Sequence, residues 1–271
     1  KERTSLLLSG RTTYSDWLLG MLPEKSGYKD GKAGFYDIGA TFSHTFNVRN
    51  KLNVYGYYSR DRFAFNDNEK YGYGNMNVSA HWRSIFNDQL TGNFSLGYDH
   101  YDYRNDESVD SIQAARLSFG IDQFFSKANF NLELDKHRLN FGVSTLFYTI
   151  RSGTYEPLGK ESLVAFDELQ RDKALESAVY VGDEWEITPK FSLNAGIRYS
   201  MFNALGPRDY YTYQSGTLPS ESTVVDTVRV TGNKVFKTYH GPEFRVSARY
   251  AFNDEFSFKA GCNTMRQYIH K

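Results

Sequence analysis

Hydrophobic and polar residues alternate with a period of two along most of this chain, the pattern of a strand covered on one face. Phe191, Leu193, Ala195, Ile197, Tyr199 and Met201 share one face, and Ser192, Asn194, Gly196, Arg198 and Ser200 share the other. Phe244, Val246, Ala248, Tyr250 and Phe252 likewise oppose Arg245, Ser247 and Arg249, and Phe256, Phe258, Ala260 and Cys262 oppose Ser257, Lys259, Gly261 and Asn263. The alternation predicts about eleven strands, near residues 3–13, 34–46, 52–64, 73–86, 90–103, 112–134, 138–151, 175–187, 191–204, 238–251 and 256–268. Two places break the pattern. In the strand from 112, Leu117, Phe119 and Ile121 are odd-numbered but Phe130, Leu132 and Leu134 are even, which predicts a bulge between Gln123 and Lys127. Asp183 shares parity with Val181, Trp185 and Ile187, which predicts another bulge or the end of the apolar band.

The connections alternate in length. Asn47–Lys51, Asn87–Gln89, Asp135–His137, Thr188–Lys190 and Asn253–Glu255 read as tight turns, whereas Ser15–Ala33, Asn66–Gly72, Arg104–Ser111, Ser152–Ala174 and Leu205–Lys237 read as long polar or Tyr-rich loops. Short turns at one end and long loops at the other describe a transmembrane antiparallel β-barrel, and strands of about eleven residues or more are long enough to cross a bilayer at a tilt. Phe46, Phe86, Trp185, Phe191, Phe252 and Phe256 bracket the short turns as an interfacial girdle would. The competing fold is a soluble propeller or sandwich with aromatic core strands.

Composition narrows the class further. Of 271 residues, 21 are Tyr and 21 Phe against 6 Pro, a mixture suited to pleated surfaces. Mean hydropathy is −0.59 and no apolar run is long enough for a membrane-spanning helix. Lys+Arg and Asp+Glu are both 32, so no net field attracts nucleic acid. The single cysteine, Cys262, forms no internal disulfide, and its parity places it facing lipid. The opening KERTSLLLSG lacks the pattern of a signal peptide, which leaves a cytosolic, a processed or an excised chain open.

Three stretches carry a family resemblance. SLLLSGRTTYSDWLL from Ser5 resembles a barrel strand and loop of TonB-dependent outer-membrane receptors, as does the hairpin YVGDEWEITPKFSLNAGIRYSMFN from Tyr180. GPEFRVSARYAFNDEFSFKAGCNTMRQYIH from Gly241 is similar to a later hairpin of receptors that carry a carboxypeptidase-like domain ahead of the plug. The resemblance implies a 22-stranded barrel around a plug in the Gram-negative outer membrane. It further implies uptake of a metal chelate, cobalamin, glycan or peptide, driven by a TonB complex. Residues 1–271 are then expected to be a partial barrel domain, without plug, TonB box or C-terminal strands. An odd strand count agrees, since a closed bacterial barrel has an even one. Expected partners are outer-membrane lipid, the plug and remaining strands, and the TonB complex, with a surface lipoprotein left open. A passive porin and a soluble aromatic-rich carbohydrate-binding protein are the alternatives.

Candidate chemistry is sparse. No nucleophile elbow, zinc-protease or phosphate-loop motif occurs, so no catalytic residue, cofactor or metal is expected. His44, His81, His100, His137, His240 and His270 have no ligand spacing, and Asp67 with Glu69 lacks the form of a calcium loop. Arg83, Arg198, Arg245, Arg249 and Lys259 fall on polar strand faces, as lumen contacts for a plug or an anionic substrate or simply as polar wall. Tyr210, Tyr211 and Tyr213 lie in the longest loop, where they could stack on a ligand or on one another. Leu163, Phe166 and Leu169 stand near helical spacing in a charged stretch that reads as a loop over the rim.

Overall fold

The computed structural model describes residues 3–13, 15–23, 25, 29, 31–64, 66 and 68–268. The expectations that involve Lys1, Asp67, His270 and Lys271 lie outside these residues. Fourteen strands are present among them: β1 (Thr4–Thr12), β2 (Lys32–Asn47), β3 (Asn50–Ala64), β4 (Glu69–Ile85), β5 (Leu90–Glu107), β6 (Ala115–Glu133), β7 (His137–Pro157), β8 (Asp167–Glu168), β9 (Asp172–Thr188), β10 (Phe191–Leu205), β11 (Arg208–Tyr213), β12 (Val224–Val230), β13 (Val235–Ala251) and β14 (Ser257–Asn263). One short helix, α1 (Asp16–Gly20), sits in the first long connection. The eleven predicted strands are β1–β7, β9, β10, β13 and β14, paired antiparallel with their chain neighbours in one open sheet edged by β1 and β14.

Local chemistry closes the short turns. The Asn47 side-chain oxygen accepts from the Arg49 amide at 2.9 Å, and Asn87 does the same for Leu90 at 2.8 Å. Thr188 accepts from Phe191 at 3.0 Å and Asn253 from Phe256 at 2.7 Å. A side chain that mimics a backbone acceptor lets the chain reverse within a few residues. At the other end β2, β4, β5, β7, β9, β10 and β13 continue past their predicted limits, whereas β6 begins at Ala115, short of the predicted 112, and β8 adds to β7 through Thr154 and Tyr155. Leu163, Phe166 and Leu169 are exposed in extended chain, so no helix forms there. The loop predicted over Leu205–Lys237 contains a separate two-stranded sheet, β11–β12. β14 stops at Asn263, short of the predicted 268, and Tyr268 stacks on Phe202 at 5.2 Å.

The cross-strand register defines two faces. Leu52, Trp82, Phe94 and Leu96 share the face that carries Phe124, Val143, Val181, Ile197, Phe244, Val246 and Cys262. Large apolar side chains here stay exposed: Leu96 is 54% and Val143 49% accessible. The opposite face converges and buries small polar groups, among them Asp37, Ser59, Ser79 and Ser200, so it is the concave, lumen-side face. On β5 the apolar band runs from Leu90 to Tyr98, about 27 Å along the strand and about 21 Å at a typical barrel tilt, close to the roughly 25 Å apolar band of an outer-membrane barrel.

Above the band the two faces exchange character. The bulge predicted between Gln123 and Lys127 is absent: β5 and β6 stay in continuous register from Leu90 opposite Leu132 to Glu107 opposite Ala115. Leu117, Phe119 and Ile121 therefore face the lumen side, with Tyr71, Tyr73, Tyr101 and Tyr103 across neighbouring strands. Tyr73 and Tyr103 lie 5.2 Å apart, and Tyr103 and Phe119 4.5 Å. The outer face of the same rows turns to Arg60, Asp102, Asp122 and Arg151. The parity break marks the end of the lipid, where the outer face meets polar surroundings and the inner face packs on itself. Asp183 has a related explanation. It lies in regular register, accepts from His137 Nδ1 at 2.6 Å, and sits beside Trp185, which stacks on His137 at 5.3 Å, at the short-turn edge of the band. The nearest irregularity in β9 falls beyond it, at the pairing of Thr188 with Phe191.

Candidate functional site: a mixed-charge groove on the lumen face

Glycines make room for a groove on the concave side of β6–β14. Gly142, Gly182 and Gly196 present no side chain there, and a Cβ on Gly142 would stand 2.7 Å from Tyr180 Oη and closer still to the Ala128 carbonyl oxygen. Tyr180 lies across the vacated space and donates to Asn129 Oδ1 at 2.8 Å. Its ring is flanked by Lys127 Nζ at 5.7 Å and the Arg198 guanidinium at 5.9 Å from the centroid, the geometry of paired cation–π contacts.

The groove encloses about 540 Å³ and also takes in Arg138, Asn140, Glu184, Glu243 and Arg245. Arg138 reaches Glu184 at 3.3 Å, and Arg198 approaches Glu243 at 3.9 Å and Ser144 Oγ at 3.4 Å. Ser200, 1% exposed, donates to Glu243 at 2.7 Å and joins Tyr268 Oη at 2.8 Å. Donors, carboxylates and one aromatic face thus converge on a dented wall. Such a surface suits a polar chain segment or a polar solute.

The structure brings Arg198 and Arg245 together in this groove. Arg249 and Lys259 lie opposite each other on β13 and β14, nearer the short turn, and Arg83 stands on β4 opposite Lys51. Tyr210, Tyr211 and Tyr213 are placed on the β11–β12 hairpin, 50%, 41% and 40% exposed, apart from the groove. There Asp209 bonds Arg229 at 3.0 Å and holds its guanidinium above the ordinary pKa. Sequence reading missed Tyr180, Lys127 and Glu243. The usable signal was the recurrence of glycine on the polar parity at matched distances from successive short turns.

A one-way antiparallel meander with a membrane-high apolar outer band, short turns at one end and a polar concave face is the wall of an outer-membrane β-barrel. The family described as TonB dependent receptor-like, beta-barrel, matches residues 10–264. The chain belongs to that family of Gram-negative outer-membrane receptors. No curated protein sequence matches it. Among solved structures, the copper transporter OprC is similar at TM-score 0.70 and 11% identity, over 96% of this chain and 42% of that one. The ferric-catecholate import receptor Fiu of E. coli K12, in its open form, gives 0.65 and 12% over 94% and 49%. The unliganded ferric citrate transporter FecA gives 0.65 and 12% over 95% and 38%. These similarities bear on the fold. The chain spans less than half the length of each of these proteins.

Proposed function

We propose that this chain is the partial wall of a receptor that imports a nutrient too large for porins, with its concave face seated on a plug and import driven through TonB. The observation that carries the reading is the unbalanced charge low on the lumen face. Arg249 stands directly opposite Lys259, and Lys51 opposite Arg83, while the Arg245 side chain makes no hydrogen bond or ion pair among the described residues. Like charges facing each other across strands are destabilising unless another surface neutralises them. An acidic plug surface supplies that neutralisation; an open aqueous pore does so only through mobile ions. The plug, a carboxypeptidase-like domain ahead of it and the segment that engages TonB would belong to other parts of the receptor.

The cargo class stays broad: a metal chelate, cobalamin, glycan or peptide. The aromatic rows above the band and the hairpin tyrosines Tyr210, Tyr211 and Tyr213 are the surfaces it would meet first. Bilayer conductance and uptake by the full-length receptor test the proposal. The wild type is expected to be closed, with uptake abolished by loss of TonB, and Arg249→Glu together with Lys259→Glu is expected to make the barrel leak. A wild type that conducts constitutively and takes up solute without TonB would instead be a porin.

A further inference from the structure

Just above the apolar band, the outer face of β3–β7 carries a depression that faces away from the lumen. One cross-strand row reads Arg60, Gly74, Asp102, Gly120 and Arg151, and the next Arg62, Gly72, Arg104, Ser118 and Thr154. Gly74 and Gly120 leave room that the Arg60, Asp102 and Arg151 side chains fold into, since a Cβ at either position would overlap them. The cavity holds about 310 Å³ and is lined by Arg60, Asp102, Arg104, Ser118, Arg151 and Thr154, among others.

The charges are unevenly satisfied. Arg60 reaches both Asp102 oxygens, at 2.9 and 2.7 Å, and Arg151 reaches Asp122 at 2.9 Å. Asp122 also accepts from Tyr98 and bonds to His100 at 2.7 Å, which anchors this network to the top of the band. The Arg104 side chain is exposed and makes no hydrogen bond or ion pair among the described residues, and that of Arg62, across Gly72 from it, makes none either. The Ser118 and Thr154 hydroxyls at the cavity are likewise unengaged among the described residues. Two of the three guanidinium groups are paired, with Asp102 and Asp122, so Arg104 and the two hydroxyls are left to meet an oxyanion.

Height identifies the oxyanion. Tyr98 is the last residue of the apolar band on β5, and Asp102 stands farther along the same strand and on the same face. The separation is about 14 Å along the strand at about 3.4 Å per residue. At barrel tilt it amounts to a rise of about 10 Å, which sets the cavity in the headgroup layer at the long-loop end of the wall. We propose that this cavity binds the phosphate of a phosphorylated lipid headgroup in the outer leaflet, with Arg104 as its free cation. A solute in the lumen does not reach it, because the sheet stands between. The proposal rests on the outer-membrane location and not on the cargo or the plug, so uptake assays report on the other reading separately.

The test uses the full-length receptor in mild detergent and native mass spectrometry, with bis-phosphorylated lipid A, its dephosphorylated form and inorganic phosphate as probes. The wild type is expected to retain the phosphorylated lipid, and Arg104→Glu to bind it about five- to tenfold more weakly. Ser118→Asp, which adds a carboxylate without removing a cation, is expected to weaken it as well. Arg104 has no partner to lose among the described residues, and heat-modifiable gel mobility verifies that both variants are folded. Equal binding by wild type and both folded variants would overturn the site. Equal binding of the dephosphorylated lipid, or displacement of the lipid by an equal concentration of inorganic phosphate, would overturn its assignment to a lipid phosphate.

Discussion

Arginine placed at neighbouring positions of β5 separates the lipid face from the lumen face. Phe94 lies midway along the Leu90–Tyr98 band, and its ring packs 5.4 Å from Trp82 and 5.7 Å from Phe130. Phe94→Arg carries a guanidinium to the middle of the hydrocarbon, which costs about 2–4 kcal/mol. The two lost ring pairs add about 0.5–1.5 kcal/mol each. The total is about 3–7 kcal/mol. Ser95, one residue on, faces the lumen and bonds to His81 at 2.9 Å. Ser95→Arg forfeits that bond, about 1 kcal/mol, and sets a cation opposite Lys127, at most about another 1 kcal/mol. His100 returns to the face of Phe94 but lies beyond the band, bonded to Asp122 at 2.7 Å. His100→Arg sets a guanidinium beside that carboxylate and is expected to change stability by less than about 1 kcal/mol. Equilibrium unfolding of the full-length receptor in lipid vesicles, followed by tryptophan fluorescence, measures all three. Equal losses for Phe94→Arg and Ser95→Arg would refute the register, and a large loss for His100→Arg would refute the exchange of faces above the band.

Two further outcomes follow from single positions. Gly142→Ala is expected to cost about 1–3 kcal/mol and to release Tyr180 from Asn129, because the new methyl group meets Tyr180 Oη and the Ala128 carbonyl; Gly56→Ala, with nothing within 4 Å of the added carbon, is the neutral control in the same unfolding assay. Cys262 lies on the apolar outer face opposite Val246, so in vesicles it should react with a lipid-soluble maleimide and resist a charged one, and equal labelling by both would place it in water.

Alternation alone was enough to locate the eleven long strands, because side chains on a strand change face at every residue and a bilayer demands one apolar face. The turn residues Asn47, Asn87, Thr188 and Asn253 were equally legible, since each closes its turn through contacts only a few residues away. Parity failed at Leu117–Ile121 for a physical reason. It equates apolar with outward along the whole strand, whereas this holds only at the depth of the lipid. Strand pairing settled the point by carrying an unbroken register through residues 123–127. The hairpin β11–β12 was hidden because its strands are short and their alternation is interrupted at Tyr213.

Site residues were legible as types but not as neighbours. Arg198 and Arg245 could be assigned to the polar face from sequence, but their meeting with Tyr180, Lys127 and Glu243 depends on how far each strand is offset from the next. The same holds for Arg60, Arg104 and Arg151, which are distant in the chain and share a cavity only through the intervening pairings. The order of amino acids was sufficient to tell which residues alternate, where the chain turns, and that one face suits a membrane, because those properties are local. Which cations stand opposite one another, and which line a common cavity, came from the folded sheet, because cross-strand register joins residues that no local pattern relates.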